Sequence, residues 1–305
     1  MCECLEESLL SLEFERHHED LKFYLMCSLW ANEFDLSLNA DGMGVEKHTS
    51  TSQLRSDVRI KTATQMVVDD LDTIVSRWPQ RLAATSTDRR RTVILVMDNT
   101  APEMFADLVL SEFLLSSGLA EQIVFMPKIM PWFVSDVTQF DLEWLLKEAL
   151  PGCAASQKLA TWAERWSQRF QEGSFVVELH AFWTLPLGYN ELKTQSPDLY
   201  RRLTVGCDVV IFKGDLNYRK LLEDRSWAPD SQEDKTTAFQ RCFSNSALDD
   251  DGDGGSRSLI MALRVAKSDV AVGLTPARLQ AVRAPDPQWW VKGLYGFAQI
   301  VRNVV

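Results

Sequence analysis

Thr92-Val93-Ile94-Leu95-Val96-Met97-Asp98-Asn99 is the stretch whose reading decides the fold. A β-branched and apolar run stops abruptly at an acid and an amide, and the helix-like segment Pro102–Ser116 follows. Such a run, buried on both faces and succeeded by a helix, is how a parallel strand is written in sequence. Three further segments repeat the pattern: Pro131–Ser135 into Asp136, Cys207–Lys213 into Asp215, and Leu259–Val265 into Lys267. In an open parallel α/β sheet the carboxyl ends of the strands converge on one crevice. The expectation is therefore one site with three acids, an amide and a lysine, a set suited to a metal holding a phosphate.

Outward from these strands, Gln122–Met126 reads as another strand, while Asp141–Leu150, Lys158–Gln171, Pro197–Leu203 and Pro276–Val282 read as helices. Phe175–Phe182 reads as extended, and Leu71, Ile74, Val75 and Trp78 have the spacing of one helical face. Glu7–Leu29 reads as helical, Asn39–Ser52 as a loop, and Glu223–Arg257 as a polar inserted loop. Alternation of strands and amphipathic helices predicts an α/β protein, a three-layer αβα sandwich on a mostly parallel Rossmann-like sheet, preceded by an N-terminal helical segment. The expected organisation is residues 1–56 for that segment and 57–305 for the α/β domain, with a polar insertion at 224–257.

Bulk properties narrow the function. With 305 residues and 46% hydrophobic composition the chain has material for a sizeable core. A net charge of −11 opposes general binding to nucleic acid or anionic membrane, while a phosphorylated metabolite stays open because a local cation can overrule the global field. No apolar run is long enough for a bilayer, and Glu3, Glu6 and Glu7 sit where a secretory signal would carry basic residues, so a soluble intracellular protein is expected, cytoplasmic with the nucleus as an alternative. The six cysteines form no disulfide-like framework, and Cys2-x-Cys4 has no matching second pair, so reduced thiols and no structural zinc are expected.

Each candidate position has a plain structural reading beside the chemical one. Thr100 and Glu103 can form a capping box around Pro102, which leaves Asp98 and Asn99 as hard oxygen ligands. Asp136 can be a helix cap or a turn residue, and Lys267 a solvated lysine at a strand end. Lys213-Gly214-Asp215-Leu216-Asn217-Tyr218-Arg219 is denser in chemistry. Gly214 allows a tight turn, and a helix start with Arg219 and a lysine suits a phosphate. Asp249, Asp251 and Asp253 mimic the opening of a calcium loop, but Ile260 stands where the bidentate Glu belongs, so a solvated acidic turn is the better reading. His180 on a strand reads as a satisfied core residue. No nucleophile elbow, Walker loop, kinase set or Gly-x-Gly-x-x-Gly fingerprint is present.

Asp98-Asn99, Pro131-Trp132-Phe133-Val134-Ser135-Asp136, Phe182-Trp183-Thr184-Leu185-Pro186 and Phe212–Lys220 together resemble the metal-dependent damage-control phosphatases, also known as the acidic-residue methyltransferase family. Leu29-Trp30-Ala31-Asn32, Asp35-Leu36-Ser37-Leu38 and Val67-Val68-Asp69-Asp70 look like further segments of that family. The resemblance implies a divalent metal, manganese or nickel with cobalt and magnesium as alternatives, and hydrolysis of sugar phosphates such as fructose 1-phosphate and fructose 6-phosphate. It implies Asp98, Asn99 and Asp136 as metal ligands. It implies substrate contacts at Asp98, Asn99, Asp215, Leu216, Asn217, Tyr218, Arg219 and Lys267, with Asp98, Asn99, Asp215 and Lys267 taking part in catalysis. Arg264-Val265-Ala266-Lys267 departs from the family's Arg-Thr-x-Lys at Val265, and the region before Leu29 is shorter than the family's, which suggests a shortened chain.

Two rival readings accompany the phosphatase. The family's other name implies a carboxyl methyltransferase using S-adenosylmethionine, against which stands the lack of a glycine-rich nucleoside loop after the first strand. An inactive homologue is the second rival, motivated by the short N-terminus and Val265. Oligomeric state is not legible.

Overall fold

The computed structural model describes residues 17–31, 51–84, 88–152, 157–243 and 258–302. Cys2-x-Cys4, the Asp35–Leu38 segment, most of the Asn39–Ser52 loop and the acidic turn Asp249–Gly255 lie outside the described residues. The strands are β1 (Met66–Asp69), β2 (Thr92–Val96), β3 (Gln122–Met126), β4 (Phe175–Val177), β5 (Val209–Lys213), β6 (Leu259–Val265) and β7 (Gly296–Arg302). The helices are α1 (His17–Trp30), α2 (Thr51–Gln65), α3 (Leu71–Ala83), α4 (Pro102–Ser116), α5 (Gln139–Trp144), α6 (Gln157–Gln171), α7 (Leu192–Gln195), α8 (Pro197–Thr204), α9 (Gly214–Leu221), α10 (Gln232–Cys242) and α11 (Pro276–Arg283). The fold class is α/β with a mostly parallel sheet, that of a three-layer αβα sandwich.

The described residues group into two compact units, each discontinuous in sequence: one of residues up to Thr64 with Met97–Thr184, the other of Gln65–Val96 with Leu185 onward. In the second unit the strand order is β1-β7-β6-β5-β2, with every pairing parallel except β6 with β7. Strands β2, β5 and β6 are buried at every residue, as parallel strands covered on both faces must be. Helix α3 packs Leu71, Ile74, Val75 and Trp78 inward, the face its spacing predicts. Asp208, fully buried before β5, is held by Arg81 at 3.0 Å, Arg89 at 2.8 Å and the Thr92 amide at 2.7 Å, so its charge is fully compensated.

The first unit pairs β3 with β4 in parallel and packs α1 against α4. Helix α4 is buried all round from Glu103 to Leu114, so it is a core helix and not the amphipathic cover its position suggests. Its polar residues are matched by partners: Ser28 donates to Asp107 at 2.6 Å, while Arg165 and Arg169 pair with Glu112 at 2.6 and 2.8 Å. Tyr24 stacks on Phe113 with ring centroids 4.5 Å apart, and Trp30 donates to Thr62 at 3.1 Å. Each large apolar side chain fully withdrawn from water here contributes about 1.5–3 kcal/mol. Cys27, Cys207 and Cys242 are buried free thiols.

Three expectations are corrected. Pro131–Ser135 is an exposed turn, not a strand: the Asp136 carboxylate accepts the amides of Trp132 and Phe133, both at 2.8 Å, curling the backbone so that Trp132, Phe133 and Val134 point to solvent. Only Phe175–Val177 of the extended segment is strand; Ala181–Thr184 is a 3-10 turn burying Phe182 and Trp183, and half-buried His180 accepts the Phe182 amide at its Nδ1. The polar insertion contains α10, which buries Ala238, Phe239 and Cys242 behind a Ser231 cap. Strand β7, absent from the sequence reading, closes the gap between β1 and β6.

Candidate functional site

Asp98 and Asn99 come directly after β2, and a pair of backbone contacts brings the Asp136 turn to them. The Val137 amide donates to the Asp98 carbonyl at 2.9 Å, the Thr100 amide donates to the Ser135 carbonyl at 2.8 Å, and Asn99 and Asp136 form an antiparallel bridge. Asp98, Asn99 and Asp136 are all buried. The Asn99 amide nitrogen donates to Asp98 Oδ2 at 2.7 Å and Glu103 Oε2 at 2.9 Å, while its oxygen accepts from Ser135 Oγ at 2.7 Å.

Glu103 is therefore not the partner in a capping box. The residue capping α4 is Ala101, at φ 57° and ψ −125°, with no side-chain cap bond. That left-handed backbone costs an alanine on the order of 1–3 kcal/mol. It starts the helix with Glu103 aimed at the Asn99 amide, so the acid adds to the cluster instead of closing the helix end.

Sequence reasoning missed Lys128. Two residues beyond β3 and 1% exposed, its ammonium donates to Asp136 Oδ1 at 3.1 Å, Asp98 Oδ1 at 3.3 Å and the Asp98 carbonyl at 3.4 Å. The available signal was a lysine closely following an apolar strand run, the same signal that singled out Lys267. The Asp98 carboxyl is pushed up to about 6, chiefly by burial, with Lys128 pulling it down and Glu103 and Asp136 pushing it up. Asp98 and Asp136 thus share the Lys128 ammonium, and buried Glu103 is joined to them through the Asn99 amide.

The donor set gathered here fits a divalent cation. Asp98, Asn99 and Asp136 supply hard oxygens, as Mn²⁺ or Mg²⁺ prefer. No group of three or more His, Cys, Asp and Glu suited to a metal occurs among the described residues, and the third hard oxygen beside the two acids is that of the Asn99 amide, which accepts from Ser135.

A second cluster lies in the other unit, at the ends of β5 and β6. Gly214, at φ 81°, turns the chain from β5 into α9, a backbone only glycine adopts freely. Asp215 Oδ1 accepts from Arg264 Nε at 2.7 Å, the Lys267 amide at 2.9 Å and Ser268 Oγ at 3.2 Å. Arg264 is 1% exposed; it also donates to the carbonyls of Val270 and Ser268 and lies over the Tyr218 ring at 4.3 Å. Only Lys267 of the two basic residues in that motif faces outward, and Val265 is buried within β6.

Asn217 and Tyr218 point into the protein. Asn217 donates to the Lys213 carbonyl at 2.7 Å and accepts from Tyr189, and Tyr218 donates to Gln299 at 2.6 Å. Leu216 is buried, and Arg219 is engaged by Asp224 through two bonds, at 2.9 and 2.6 Å. Asp98, Asn99 and Asp136 thus come together in the first unit, and Asp215 and Lys267 in the second. A groove of about 510 Å³ in the first unit, lined by Leu142, Leu146, Phe170, Phe175 and Val177, contains none of these residues.

Comparison with known proteins places these features in a family. The domain described as damage-control phosphatase ARMT1-like matches residues 2–282. Proteins named damage-control phosphatase ARMT1 are similar throughout: that of Danio rerio is 32% identical over 98% of this chain and 62% of its own length. The Homo sapiens protein is 32% identical over 97% of this chain and 60% of its own, and the Rattus norvegicus protein 34% identical over 93% and 60%. The chain belongs to the damage-control phosphatase ARMT1-like family. It spans about 60% of the length of the curated relatives it matches. Among the described residues no helix is long and apolar enough to cross a membrane.

Proposed function

We propose that this chain is a divalent-metal-dependent phosphatase that hydrolyses phosphorylated sugars, fructose 1-phosphate and fructose 6-phosphate among them. The observation that carries the reading is the buried cluster of Asp98, Asn99 and Asp136, with Lys128 bonded to both acids and Glu103 to the amide, in a chain of the damage-control phosphatase family. Asp98, Asn99 and Asp136 would hold the ion, Mn²⁺ or Ni²⁺ by preference with Co²⁺ and Mg²⁺ as alternatives. When bound, such an ion supplies Lewis-acid polarisation of a phosphoryl oxygen and a water of lowered pKa.

The chain's own residues would do the rest. Asp215 has one carboxylate oxygen saturated by three donors, which fixes the orientation of the other as an acceptor for a substrate hydroxyl or water. Lys267, whose ammonium is turned outward, would meet the equatorial phosphoryl oxygens as charge builds there. Arg219 would join it by exchanging its Asp224 partner for phosphate, since the guanidinium fork suits both anions. Leu216, Asn217 and Tyr218 would serve by shaping the helix that carries Asp215 and Arg219.

The test is release of inorganic phosphate from a panel of sugar phosphates, with and without Mn²⁺, by the chain and by Asp98→Ala and Asp215→Asn. Metal-dependent turnover lost in Asp98→Ala is expected. Turnover unchanged in Asp98→Ala, or unaffected by chelation, would refute the reading.

A further inference from the structure

We propose that Lys128 is a resident counter-cation of the candidate metal site. It is a positioning residue that holds Asp98 and Asp136 within reach of one another before a divalent ion arrives, and opposes that ion once it is bound. The inference rests on the metal reading above and goes beyond it by assigning a role to a residue outside the expected ligand set.

The geometry is specific. The Lys128 ammonium bonds one oxygen of each carboxylate and the backbone carbonyl of Asp98, so it ties the segment after β2 to the 131–136 turn. Its backbone is tied to the same turn: the Lys128 amide donates to the Val137 carbonyl at 3.0 Å, and Lys128 and Thr138 form a parallel bridge. The second oxygen of Asp136 is held by two backbone amides, and that of Asp98 by the Asn99 side chain. Without the ammonium, the buried carboxylates of Asp98 and Asp136 would lose the ion pair that joins them.

An ordinary buried ion pair and a resident counter-cation differ in how the site answers to metal. If Lys128 only braces the fold, replacing it damages the site and metal binds more weakly. If it stands in for the ion's charge, an uncharged side chain of equal length leaves the ligands hungrier for a cation and removes a like charge from beside it.

The experiment uses the full chain with MnCl₂ as the probe, comparing wild type, Lys128→Met and Lys128→Arg by titration calorimetry and thermal melting. Metal-free Lys128→Met is expected to melt below wild type, to gain more from Mn²⁺ than wild type does, and to bind Mn²⁺ about tenfold more tightly or better. Lys128→Arg, which keeps the charge, is expected to stay within about threefold of wild type. Unchanged or weaker Mn²⁺ binding by Lys128→Met, or failure of that variant to fold in saturating Mn²⁺, would overturn the proposal. Absence of Mn²⁺ binding by wild type would instead remove the metal reading itself, and Lys128 would then be a structural ion pair.

Discussion

Replacing Arg264 by methionine puts the second cluster to a quantitative test. The guanidinium is buried, pairs with Asp215 Oδ1 at 2.7 Å, donates to the Val270 carbonyl at 2.5 Å and to the Ser268 carbonyl at 2.9 Å, and lies over Tyr218 and Phe297. Methionine keeps most of the volume and the contact with both rings, so the loss is almost wholly polar. Removing one partner of a buried ion pair costs about 3–5 kcal/mol, and each buried carbonyl left without a donor about 1–3 kcal/mol. Asp215 keeps two donors, the Lys267 amide and Ser268 Oγ, and is itself partly exposed, which reduces the first figure. A net loss of about 4 kcal/mol follows. Urea unfolding of the full chain, followed by tryptophan fluorescence, measures it, and a double-mutant cycle with Asp215→Asn should return a coupling of about 1.5–3 kcal/mol. A total loss below about 1 kcal/mol, or a coupling under about 0.5 kcal/mol, would show that Arg264 does not fix Asp215.

Two further outcomes are expected. Gly273→Ala should destabilise by about 1–3 kcal/mol more than Gly118→Ala. Both glycines have positive φ, but a Cβ at Gly118 meets open space while one at Gly273 meets Lys235 Cδ at 2.9 Å and the side-chain amide of Gln299, itself held by Tyr218 and Val272. Equal melting temperatures of the two variants would contradict this packing. Burial lowers Lys61, whose ammonium lies over Trp30, from 10.5 to about 8, so the folded chain gives up that proton before the unfolded chain does. The resulting penalty is complete below about 8 and relieved by about 10.5, so wild type should gain stability relative to Lys61→Met across that window. Parallel pH profiles of the two unfolding midpoints would count against it.

The strands were legible because burial on both faces leaves a plain record. Thr92–Val96, Gln122–Met126 and Leu259–Val265 are unbroken or nearly unbroken apolar runs, and each is a strand. Helix α3 was legible through its single apolar face. Pro131–Ser135 has the composition of a strand yet forms a turn, because a carboxylate four residues on from Trp132 captures the amides a ladder would have used. Strand β7 went unread because its place, parallel to β1 and antiparallel to β6, depends on partners far away in sequence.

The sequence by itself determined the α/β class, the family, and the acids and amide that follow β2 and β5, since apolar runs and dense local motifs record burial and chemistry residue by residue. Only the tertiary structure decided what those groups do to one another. Asp98, Asn99 and Asp136 meet because backbone bonds join the segment after β2 to a distant turn, and Glu103 and Lys128 join them from a helix start and a strand end. Arg264 is the buried brace of Asp215, a contact between two strand ends. Charge compensation acts through space over a few ångströms, and distance along the chain does not encode it.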